Sequence, residues 1–86
     1  MTNREYLRKL NIITLERFEK YLEVENELLS SSFFVSKDLL ELKPFCYSKW
    51  QTINAQYENF KTYLYNTNID LDSLCDESLP NLKEWE

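Results

Sequence analysis

The 86 residues contain no glycine. Glycine is the default residue for positive φ, so its absence takes away the usual chemistry of tight hairpin turns, phosphate-cradling loops and strained nucleophile elbows. Eight asparagines are the substitutes where a left-handed turn is needed. Histidine is missing as well. That removes the commonest general acid–base, the commonest metal ligand and the side chain that titrates near neutrality.

A chain of this length makes one domain and buries about 60–65% of its unfolded surface, which leaves no room for a second core or an enclosed cavity. Hydrophobic residues at 43% and charged ones at 29% suit a globular protein and exclude full disorder. Residues 1–65 carry nine acids and nine bases and form a neutral body. Residues 66–86 carry six acids (Asp70, Asp72, Asp76, Glu77, Glu84, Glu86) against Lys83, which accounts for the full net charge of −5. An acidic segment on a neutral body points to a basic partner.

Thr2 and Glu5 read as a capping box ahead of a short helix that carries Tyr6, Leu7 and Leu10 and stops at Asn11. Thr14 then reads as a second N-cap, opening a helix over about 15–31. Its apolar face holds Leu15, Phe18, Tyr21, Leu22, Leu28 and Leu29, and its outer face holds Glu16, Glu19, Glu23 and Glu27. Phe33, Phe34 and Val35 form a short apolar stretch. Ser36 caps a short helix over about 37–43 that Pro44 ends. Ser48 and Gln51 frame another capping box, opening a helix over about 49–65. There Trp50, Ile53, Tyr57, Phe60 and Leu64 repeat at spacings of 3, 4, 3 and 4, and Asn66, Thr67 and Asn68 close the helix. The acidic segment interleaves Ile69, Leu71, Leu74, Leu79, Leu82 and Trp85 with its carboxylates, so it reads as docked, or as docking on binding, with short helical turns near 73–77 and after Ser78. The expected fold is all-α: a small bundle of two long antiparallel helices with two to three short ones, in a single domain 1–86. The heptad stripe packs within the chain in this reading, with a homodimer sharing the core left open.

Chemistry is sparse. Asp70, Asp72, Asp76 and Glu77 alternate as calcium ligands do, but the spacing lacks the central glycine of a calcium-binding loop, and no metal is expected. Cys46 and Cys75 read as reduced thiols. No carboxylate pair or nucleophile–base pair stands out, so neither catalysis nor a cofactor is expected. The polar start and the lack of a long apolar run point to a cytoplasmic protein without a membrane partner. Asn, Lys, Ile, Tyr, Phe and Met total 31 residues against six for Gly, Ala, Arg and Pro, the coding bias of an AT-rich bacterium or of its phages and plasmids.

The leading expectation is therefore a stoichiometric, non-catalytic binding module that occupies a basic or nucleic-acid-binding surface of a larger protein, with no direct nucleic-acid contact. Small acidic phage and mobile-element inhibitors, including nucleic-acid mimics and anti-CRISPR proteins, have this general character. The contact residues would be Glu16, Glu19, Glu23, Glu27, Asp70, Asp72, Asp76 and Glu77 as steering carboxylates and Trp85 as an anchor. Residues 35–60 also fit a helix-turn-helix regulator, with its turn at 43–48 and Lys49, Gln51 and Asn54 as base readers. A third reading is an antitoxin or adaptor subunit whose acidic tail folds onto a basic protein.

Overall fold

A computed structural model describes residues 1–30 and 37–82. Two helices, α1 (Asn3–Ser30) and α2 (Lys37–Thr67), carry most of the chain. Cross-hairpin contacts fix their direction: Tyr6 meets Phe60, Phe18 meets Trp50, Tyr21 meets Tyr47, and Glu25 meets Lys43. As one number rises the other falls, so the helices run antiparallel. The fold is all-α, as the periodicity implies. Among the described residues the short helices are not there: those read at the start and over 37–43 merge into α1 and α2, and the tail makes turns where its own were expected.

Two expected breaks fail for physical reasons. Asn11 and Thr14 do not interrupt α1. Thr14 is buried, and its hydroxyl donates to the Leu10 carbonyl 2.7 Å away, one turn back in the same helix. A residue read as a cap is thus satisfied inside a helix. Pro44 does not end α2, although it cannot donate to the Leu40 carbonyl. Both residues are exposed, so water can serve that carbonyl, while Leu39, Leu42 and Cys46 hold this stretch of α2 inward. Ser48 likewise opens nothing: it lies in mid-helix, with its carbonyl accepting from the Thr52 hydroxyl at 2.8 Å. The turn that a helix-turn-helix requires is continuous helix here.

Merging the helices changes which face of α1 is buried. The inward stripe is Tyr6, Leu10, Ile13 and Val24, whereas Leu15, Leu22 and Leu29, expected in the core, are exposed. On α2 the heptad stripe behaves as read: Ile53, Phe60 and Leu64 are buried, and Trp50 and Tyr57 are half-buried.

Asn68 ends α2 with φ at 56°, the left-handed turn that in this chain falls to asparagine. The tail then folds back onto the open end of the hairpin. Leu82 joins Tyr6, Leu10, Ile13, Ile53, Phe60 and Leu64 in one core, with Ile69, Leu71, Cys75 and Leu79 packed on its edge. As far as Leu82 the acidic segment is docked, and it makes turns in place of the expected short helices. The Asp70 carboxylate accepts from the Asp72 amide at 3.0 Å, and the Asp76 carboxylate accepts from the Ser78 amide at 2.9 Å.

The tail also completes the start of α1, whose first amides have no partner within the helix. The Asn3 amide donates to the Ser73 carbonyl at 2.9 Å, and the Arg4 amide donates to the Leu71 carbonyl at 2.8 Å. The Thr2 hydroxyl accepts from the Glu5 amide at 3.2 Å, the capping box read from sequence. Hydrogen bonds from the Thr2 hydroxyl and amide hold the Glu5 carboxyl below its usual range. Asn3, buried, places its side-chain amide on the Asp70 carbonyl and the Ser73 hydroxyl.

The two halves of the hairpin therefore differ. The open end has the tail as a third element. Among the described residues, the half nearer residues 31–36 has the two helices alone, joined by a ladder of rings in which Phe18 lies 5.1 Å from Trp50 and Tyr21 lies 5.3 Å from Tyr47. Phe33, Phe34, Val35 and Ser36 lie outside the described residues.

Candidate functional site

The tail crosses the hairpin and leaves a groove on each side of it. The larger, about 680 Å³, runs between the tail and one flank of α1. Tyr6, Ile13 and Leu82 form its floor, Ile12 and Leu74 its exposed apolar walls, and Glu16, Asp76 and Glu77 its acidic rim, with Lys9 as the basic member. Counting side chains alone, three carboxylates against one ammonium give the rim a charge of −2. The second groove, about 600 Å³, lies between the tail and α2 and is lined with the amides Asn3, Gln56 and Asn59. Asp76, Leu74 and Leu79 line both, so this part of the tail is the ridge between them.

The hydrogen bond from the Ser78 amide holds the Asp76 carboxyl below the usual carboxylate range, so it stays ionised on that ridge. Tyr6 fixes the ridge from below. Its phenol donates to the Pro80 carbonyl at 2.7 Å, and its ring stands edge-on to Phe60 at 5.0 Å. Burial, reinforced by the neighbouring Cys75, pushes the Tyr6 phenol above its ordinary pKa, so it remains a donor.

The carboxylates singled out in the sequence divide into three groups. Glu16, Asp76 and Glu77 come together at the groove. Asp70 and Asp72 are used by the fold: Asp70 forms its turn, and Asp72 pairs with Arg4 at 3.1 Å beside the start of α1, where negative charge is favoured. Glu19, Glu23 and Glu27 are exposed further along α1, with Glu23 3.8 Å from Lys20. Trp85 lies outside the described residues. The sequence reading missed Ile12, Leu74 and Pro80. Ile12 carried a signal, since it stands four residues from Glu16 on the same flank of α1. Leu74 and Pro80 carried none, because their position depends on the tail's fold-back.

Cys46 is buried and Cys75 half-buried, both as free thiols. Among the described residues, no three Cys, Asp or Glu side chains cluster closely enough to hold a metal, and no helix is long and apolar enough to cross a membrane. The arrangement offers an acidic rim around apolar walls, a chemistry suited to a cationic, amphipathic partner. No protein-family model, curated protein or solved structure matches this chain.

Proposed function

We propose that this protein acts by binding, as a non-catalytic cytoplasmic module that seats a basic segment of a larger protein in the groove between α1 and the tail. One observation carries the reading: the fold brings Glu16 together with Asp76 and Glu77, some 60 residues away in sequence, around the exposed apolar walls Ile12 and Leu74. The carboxylates steer the encounter and pair with Lys or Arg, and Ile12 and Leu74 take the apolar side of the incoming segment. Such a module would act stoichiometrically, by occupying a basic or nucleic-acid-binding surface, in the manner of small acidic inhibitors from phages and mobile elements.

The test uses a labelled Lys/Arg-rich amphipathic helical peptide, a scrambled peptide of equal charge, and random duplex DNA. The intact protein should bind the amphipathic peptide with an affinity that falls with salt. The E16K/E77K variant should lose that binding, and the DNA should not be retarded at low salt. Equal binding of both peptides by the wild type and the variant would remove the groove from the reading, and retarded DNA would replace the reading itself.

A further inference from the structure

We propose that the protein is a homodimer in which two hairpins pack through the face of the α1–α2 layer opposite the tail, forming a four-helix bundle. The molecule measures 54 × 21 × 14 Å. A layer of two helices needs a second layer over it. Among the described residues the tail supplies one at the open end, on the face of the two grooves and at Leu7.

The opposite face is apolar along one flank of α1. Positions 7, 11, 15, 18, 22, 25 and 29 follow each other at spacings of three and four and form a second stripe beside the one buried against α2. Leu15 is 53% exposed, Leu22 38% and Leu29 79%. Phe18 is half-buried and lies against Trp50, which places this flank beside the flank of α2 that carries Leu40 and Tyr47, at 56% and 41% exposed. Glu25 is the one charge in the stripe, and Lys43 neutralises it across the hairpin at 3.9 Å.

Two further quantities identify the occupant as a second copy. A compact monomer of 10.5 kDa exposes about 5,400 Å². This chain exposes 6494 Å², an excess of about 1,000 Å². A stable complex buries about 800 Å² per partner, so the excess is large enough to supply one face of a dimer. The radius of gyration is 16.4 Å, against about 12 Å for a compact chain of this length and about 16 Å for one of twice the length. Charge selects the face. Two chains of −5 each repel through the flank of α1 that bears Glu16, Glu23 and Glu27, and meet without net repulsion through the Leu15–Leu29 flank. A two-fold arrangement sets that flank against its own copy.

Sedimentation equilibrium of the full chain tests this. At about 10 µM the wild type should have twice the chain mass, and its melting temperature should rise with concentration. Leu22→Glu should weaken association about 100-fold. Leu74→Glu, at an equally apolar but opposite site, should leave the dimer intact. If Leu22→Glu fails to fold, oxidative footprinting of the wild type reads the same face, with Leu15, Leu22 and Leu29 protected on concentration and Leu74 unchanged. A wild type that stays at monomer mass, equal dissociation by Leu74→Glu, or protection that ignores this face would each overturn the proposal.

Discussion

Tyr6→Phe isolates the contact by which the tail is held. The substitution removes one oxygen and keeps the ring against Phe60, so packing in the core is preserved. It deletes the 2.7 Å hydrogen bond to the Pro80 carbonyl and leaves that half-buried acceptor without its donor. A net hydrogen bond is worth about 0.5–1.5 kcal/mol, and stranding a buried acceptor adds to that, so the expected loss is about 1–2 kcal/mol. A domain of this size has about 4–13 kcal/mol in total and loses about 4–8 °C in melting temperature per kcal/mol. The assay is urea unfolding at fixed protein concentration, joined to amide hydrogen exchange. The amides of Asn3, Arg4 and Cys75, which bond across the junction of the tail with the start of α1, should exchange faster. Amides in the middle of α2 should follow only the global loss. The phenol adds a pH signature. Its pKa is raised in the fold from the ordinary 10.0, so its contribution is complete below about pH 10 and is lost as pH rises through the higher folded value. The wild type's advantage over Tyr6→Phe should therefore be flat to about pH 10 and shrink above it. Equal stability of the two proteins, or faster exchange spread evenly over both helices, would refute the assignment of Tyr6 as the tie between tail and hairpin.

Other substitutions test the remaining joints. Asn68→Ala should cost about 1 kcal/mol, because alanine resists the left-handed conformation, whereas Asn68→Gly should lie within a few tenths, both read by chemical unfolding. Pro44→Ala should stabilise by about 1–3 kcal/mol, since it restores the donor to the Leu40 carbonyl; a loss would mean that the ring makes a contact alanine cannot replace. Truncation after Asn68 strips Leu71, Leu79 and Leu82 from the core and uncaps Asn3 and Arg4. At about 1–3 kcal/mol per fully buried apolar side chain this approaches the whole stability, so the truncated chain should lose its cooperative thermal transition by circular dichroism.

The heptad over Trp50 to Leu64, the Thr2–Glu5 capping box and the role of Asn68 were legible because each depends on residues within one or two turns of each other. Helix continuity at Thr14 and Pro44 was not. Thr14 looks the same as a cap or as a back-bonded interior residue, and only burial against α2 decides between them. At Pro44 the cost is local, while the compensation comes from Leu39, Leu42 and Cys46, which are turned inward where α2 runs beside the far half of α1. A break at Asn11 starts the apolar face at Leu15 and omits Tyr6, Leu10 and Ile13; of that face Phe18 and Tyr21 do pack on α2, while Leu15, Leu22 and Leu29 are exposed. The candidate site follows the same division. Glu16 was visible as part of an acidic stripe, and Asp76 and Glu77 as part of an acidic tail. Their meeting depends on the fold-back that Tyr6, Asn3 and Leu82 fix.

Glu16 and Leu15 are adjacent in sequence and about 100° apart around α1. Glu16 faces the groove, and Leu15 lies on the apolar flank. Under the two proposals above, one helix serves two surfaces at once, and self-association turns the acidic flank outward. A dimer carries −10, twice the −5 of each chain, over a body only modestly larger, so its field attracts a basic segment more strongly than a single chain does. The groove and the dimer face share no residue, so saturation with the basic peptide should leave the dimer's dissociation constant unchanged, at one peptide per chain. Association of the peptide should be faster with the dimer than with the Leu22→Glu variant at low salt, and the difference should vanish as salt screens the field. Stopped-flow binding across a salt series measures both. A peptide that splits the dimer would show that the two surfaces overlap, and an on-rate indifferent to oligomeric state would show that the carboxylates outside the groove take no part in capture.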